Sequence, residues 1–269
     1  VVKEFMQRAY PVLGHVCDFR FADLRHSGNL SLVVSDDGGG TEDCNYTSII
    51  DKTASRFETY ELEEVYADVF FTAEDSIKDI NHDGNSELVV WTLIGPASDM
   101  REECTWPRIF AWTGNGYAEV SAHYRKFYTE YLKSLKQRLA RQSTGGLPAA
   151  EPTPEPADDC TKIQAAKTEQ LLGEHSDSMM TFAVKAAESN EPYDRELAAV
   201  ILAYIATPEA TSDLKTLASD TDSKVAEVAN VLLKGGEFGE PLQTPATVMG
   251  EPVQWPERTI DGRRAQPGQ

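Results

Sequence analysis

The sequence predicts an α+β chain, a mostly antiparallel β half built from two repeats plus a helix, followed by an all-α half. Three observations carry this. Through residue 121 the apolar residues alternate with polar ones or gather in short β-branched runs such as Leu88-Val89-Val90, the habit of strands. From Cys160 onward Ala and Leu recur at helical spacing. Between them Gly145, Gly146, Pro148, Pro152, Pro154 and Pro156 make a stretch too proline-rich for helix and too poor in apolar residues for core. The expected division is a β-rich domain at 1–141, a linker at 142–158, a helical domain at 159–235 and an extended or disordered tail at 236–269.

Along the β half, residues 1–10 form a short amphipathic piece ended by Pro11 and Gly14. Strands are expected at 15–24, 30–34 and 45–50, the second closed by Asp36-Asp37-Gly38-Gly39-Gly40. Residues 57–66 alternate apolar and acidic side chains, which favours strand over helix. Residues 67–72 and 76–80 lead into the apolar run 88–94, bounded by Gly95-Pro96. The segments 107–112 and 117–121 flank Gly114-Asn115-Gly116, a hairpin signal. Residues 123–140 read as a helix, with Phe127, Tyr131, Leu132, Leu135 and Leu139 on one face and basic residues on the other. In the second half, helices are expected at 162–172, 176–187, 194–205, 210–218 and 222–233, separated by Gly, Pro or Asp-rich turns.

The stretch that carries chemistry is Asp79-Ile80-Asn81-His82-Asp83-Gly84-Asn85-Ser86-Glu87. Oxygen-bearing side chains at alternate positions let a turning backbone aim Asp79, Asn81 and Asp83 at one point. Gly84 allows the sharp bend, Asn85 offers a carbonyl, and Glu87 closes the set. Hard oxygen ligands of this kind suit one structural Ca²⁺ ion. The same residue types also build ordinary metal-free turns. The loop is not an EF-hand, because its twelfth position is Val90 and a strand follows. A second copy, from Asp23 to Val34, aligns without a gap 56 residues upstream. It keeps Asp23, Gly28 and Asn29 but carries Arg25, Ser27 and Ser31 in place of Asn81, Asp83 and Glu87, so one occupied loop is expected rather than two. Arg25 is expected to supply the first loop with the positive charge that a metal brings to the second.

An acid at the ninth position followed directly by a strand resembles FG-GAP or VCBS-type propeller repeats, as does the aromatic hairpin around Gly114-Asn115-Gly116. Two copies cannot close a propeller, so a twisted antiparallel sheet or a two-sheet sandwich is expected. In the second half, residues 194–201 align with 222–229 at an offset of 28, each copy opening on an aspartate expected to cap its helix, Asp194 and Asp222. With their small alanines these resemble short HEAT-like repeats, which implies a helical module that contacts a protein partner.

Composition bounds the function. A net charge of −19 argues against sequence-independent nucleic-acid binding, and no run is long enough to span a membrane as a helix. The four cysteines lie far apart with no C-x-x-C pair, which speaks against zinc. Because Cys17 and Cys44 bracket the first repeat, their pairing is expected, which leaves Cys104 with Cys160; four free thiols in a reducing compartment is the other reading. Together with the propeller-type likeness, the even cysteine count favours an extracellular or periplasmic protein whose signal peptide has been removed. No nucleophile elbow, phosphate-binding loop, zinc-protease or dinucleotide motif is present, so no catalytic residue is named. The expected function is a non-enzymatic binding protein with one calcium loop. The alternative is a carbohydrate-binding protein or hydrolase using the surface around Trp91 and Trp112.

Overall fold

The structure is a computed structural model and describes residues 16–36, 46–52, 57–62, 76–94, 104–143 and 158–235. The amphipathic piece expected at 1–10, the lead-in segment 67–72, Cys44 and hence its pairing, most of the linker and the tail all lie outside these residues. Among the described residues, two four-stranded antiparallel sheets form the first half. One has the order β1 (Val16–Ala22), β2 (Ser31–Asp36), β3 (Tyr46–Lys52), β4 (Phe57–Leu62). The other has β5 (Ile77–Lys78), β6 (Glu87–Leu93), β7 (Thr105–Trp112), β8 (Tyr117–Glu119). The sequence repeat is a register repeat too: Val33 lies opposite Ile49 in the first sheet as Val89 lies opposite Ile109 in the second.

Because side chains alternate along a strand, the run Leu88-Val89-Val90 must serve two faces. Leu88 and Val90, with Phe110 and Tyr117, pack against Val33, Ile49, Tyr60 and Leu62 of the first sheet and against Leu24 in the turn after β1. Val89 and Ile109 face the other way, into a core shared with the helices, which Trp106 joins near the start of β7. The expected strand at 117–121 stops at Glu119. There the Ser121 hydroxyl accepts the Ile109 N–H at 3.0 Å and donates to Glu119 at 2.8 Å, taking a place the strand ladder would otherwise fill, and residues 121–123 coil into a 3₁₀ turn.

Among the described residues six α-helices follow: α1 (Arg125–Ser143), α2 (Asp158–Leu172), α3 (Asp177–Ala187), α4 (Pro192–Ile205), α5 (Pro208–Leu217) and α6 (Ser223–Leu233). Asp222 caps α6 as expected, accepting the N–H groups of Lys224 and Val225. Asp194 does not cap α4. Pro192, preset for the first helical position, starts that helix two residues earlier on Glu191, and Asp194 instead accepts a 2.6 Å hydrogen bond from Ser189. Arg195 of α4 grips Asp220 with two hydrogen bonds of 2.8 and 3.0 Å, tying that helix to the turn before α6.

The helices are not packed apart from the sheets. Their shared core runs from Val89 and Trp106 through Ile163 and Ala199 to Ala229 without a break. Buried polar contacts fix α2 against β7: Trp106 Nε1 donates to Thr168 Oγ1 at 3.0 Å, and Gln164 donates to the Thr105 carbonyl at 2.7 Å. Lys167, also buried, lies over the rings of Trp106 and Tyr204. Cys104 and Cys160 are joined in a disulfide that links the start of β7 to the first turn of α2.

Candidate functional site

Each of the two loops begins on an aspartate that follows a strand, and each is closed by that side chain. Asp23 accepts the N–H groups of Ser27 at 2.9 Å and Gly28 at 2.7 Å. Asp79 accepts those of Asp83 and Gly84, both at 3.0 Å. The next contact repeats as well: Asn29 N–H reaches Ser27 Oγ at 3.3 Å, and Asn85 N–H reaches Asp83 Oδ1 at 2.8 Å. The backbones share their left-handed residues, His26 (φ 45°) and Gly28 (80°) in the first, His82 (61°) and Gly84 (92°) in the second. The two histidines occupy the same strained step of the turn. The loops also touch, since the Ser86 N–H donates to the Leu24 carbonyl at 2.8 Å.

The structure brings the five expected residues together in one loop. Asn81 accepts the Asp83 N–H at 2.9 Å and donates from Nδ2 to Asp83 Oδ2 at 2.8 Å, while the Asn85 amide donates to Asp83 Oδ1 at 3.0 Å. The Asn85 N–H first, and then the Asn81 amide, hold the Asp83 carboxyl below the usual aspartate range, so it stays charged at neutral pH. Glu87 opens β6 with only 1% of its surface exposed and accepts the Ile80 N–H at 2.7 Å. Its other partner is Tyr124, just ahead of α1; burial and then the Glu87 carboxylate push that phenol well above its ordinary value. Asn81 also donates to the Tyr124 hydroxyl at 3.4 Å. Among the described residues no lysine or arginine forms a salt bridge with Asp79, Asp83 or Glu87.

Three negative side chains therefore share one loop and are held by amide N–H groups and a phenol. Among the described residues no group of three or more His, Cys, Asp or Glu side chains stands ready to hold a metal ion. Calcium also takes amide and main-chain oxygens. Asn81 and Asn85 carry such oxygens, and a carboxylate oxygen that accepts one N–H keeps a second lone pair.

Arg25 is not where the sequence led us to place it. Its guanidinium turns away from Asp23, lies 3.0 Å from Asp51 on β3 and stacks over Trp112 with 4.6 Å to the ring centre. Asp51 is 1% exposed between the sheets, so the stronger demand for positive charge lies there rather than at the solvent-facing Asp23. Asp51 was legible in principle, being a lone acid in the β-prone run Thr47-Ser48-Ile49-Ile50. Tyr124 gave no such signal, because it reaches the loop across 43 residues of sequence.

Trp91 and Trp112 do not form one surface. Trp112 packs edge-on to Tyr60 and Tyr117 at the border of the inter-sheet core, whereas Trp91 meets Tyr131 of α1 on the opposite face of the second sheet. No protein-family description, curated protein or solved structure matches the chain. The likenesses to FG-GAP/VCBS-type and HEAT-like repeats rest on the residues quoted above.

Proposed function

We propose that the chain is an exported, non-enzymatic binding protein in which one calcium ion stiffens the loop 79–87 and the helical repeats offer a surface to a protein partner. The observation that carries this reading is the set of three carboxylates in a single short turn, one of them buried, with no described salt bridge to balance them. Asp79, Asn81, Asp83, Asn85 and Glu87 would hold the ion. It would supply positive charge and a cross-link between the turn and the first residue of β6. The disulfide between Cys104 and Cys160 supports an oxidising, extracellular or periplasmic setting, where calcium is plentiful. Among the described residues no helix is long and apolar enough to cross a membrane.

Thermal unfolding in millimolar calcium and in EDTA, without reductant, tests the ion. A ligand that binds only the folded state raises stability by about 2.7 kcal/mol at 100 times its dissociation constant. The expected result is a calcium-dependent rise in Tm that Asp83→Ala abolishes. An equal Tm in both buffers would reduce the loop to a turn and remove the support it gives to export.

A further inference from the structure

The two loops are not independent, and the first has a fixture of its own. Leu24 is fully buried in the inter-sheet core, and its carbonyl accepts the N–H of Ser86, the last residue of the second loop before Glu87. On one side of Leu24, the Asp23 carboxylate clasps the N–H groups of Ser27 and Gly28. On the other, the Arg25 side chain is pinned between buried Asp51 and the face of Trp112. The main chain that offers this carbonyl is thus fixed at three successive residues, none of which needs an added ion. At the position of Arg25 the second loop has Asn81, whose side-chain hydrogen bonds among the described residues go to Asp83 and Tyr124.

We propose that the ion pair of Arg25 with Asp51 makes the first loop a permanent brace for the second, so that Arg25 is a positioning residue for the loop 79–87. The copy that lost its ligands would then have kept a use: it sets the Leu24 carbonyl that orients Ser86, between Asn85 and Glu87. The brace is stated on geometry alone, and its bearing on calcium rests on the cation reading above.

The test is the double variant Arg25→Met with Asp51→Ala, which removes both charges and so leaves no buried carboxylate unpaired. Methionine keeps an apolar contact for Trp112, and alanine is the residue found at the matching register position, Ala111. Two readouts are taken on the full chain: hydrogen exchange of the Ser86 amide in EDTA, and calcium affinity by titration. The brace predicts exchange at Ser86 faster by about tenfold and calcium affinity weaker by about tenfold, while exchange in α4 is unchanged. Arg25→Lys keeps a charge against Asp51, secures the fold, and is expected to give an intermediate rate at Ser86. Wild-type exchange at Ser86 in either variant would overturn the proposal. If the wild-type chain takes up no calcium, the cation reading fails, and the Ser86 measurement still decides the brace.

Discussion

Replacing Cys104 and Cys160 together by alanine probes how the two halves are joined. The disulfide closes a loop of 56 residues, which contains α1 and the proline-rich segment. In the chain-entropy description, cross-linking at that separation removes about 14 cal/mol/K from the unfolded state, or about 4 kcal/mol at 25 °C. Alanine is the right replacement because both cysteines are 2% exposed, and a serine hydroxyl there would add a buried polar group in need of a partner. Urea unfolding without reductant, followed by far-ultraviolet circular dichroism and by tryptophan fluorescence, gives the assay. Trp106 reports on the sheet side of the shared core and the helical signal on the other. Because that core is continuous from Val89 to Ala229, both probes should move in one transition, with the variant less stable by about 4 kcal/mol. A loss under about 1 kcal/mol, or two separate transitions in the wild type, would refute the view that α2 is locked onto the second sheet.

Two further outcomes follow from single residues. Gly28 and Gly84 both have left-handed backbones with open space where a Cβ would go, so alanine at either should cost about 1–2 kcal/mol from conformation alone. Chemical denaturation should give the two variants similar losses, and a large inequality would deny that the loops share one frame. The two hydrogen bonds from Arg195 hold the Asp220 carboxyl below its ordinary value in the folded chain. A depressed folded value stabilises above the unfolded pKa of about 3.9 and is lost as pH falls through the folded one. Asp220→Asn should therefore be less stable than wild type near neutral pH, with the gap closing in strong acid. A gap independent of pH in urea titrations would contradict that assignment.

Much of the secondary structure was legible because its signals are local. The expected helix at 222–233 matches α6 because Asp222 caps it and the apolar residues Val225, Val228 and Ala229 recur on one buried face. The loop residues were legible for the same reason, since Asp79, Gly84 and Asn85 act within a few positions of themselves. What the sequence did not display is what depends on distant partners. Thr168, Lys167 and Glu169 in α2 are polar, and their burial depends on Trp106 and Lys136, which come from distant parts of the chain. The direction of Arg25 was misjudged because Asp51, its partner, lies 26 residues away on a strand whose register no local pattern announces. The start of α4 was misjudged more simply, since Pro192 outweighs the aspartate two residues later as a helix opener.

The two loops share a backbone path and differ in the side chains that would hold an ion. That difference is decided by the calcium stoichiometry of the wild type and of a variant in which the first loop receives the second loop's residues. That variant carries Arg25→Asn, Ser27→Asp and Ser31→Glu, with Asp51→Ala so that no buried carboxylate loses its partner. Titration carried to calcium concentrations that also saturate a second loop weakened by loss of the Arg25–Asp51 pair should give one ion for the wild type and two for the folded variant. A wild type that binds none would contradict the claim, as would a folded variant that still binds one.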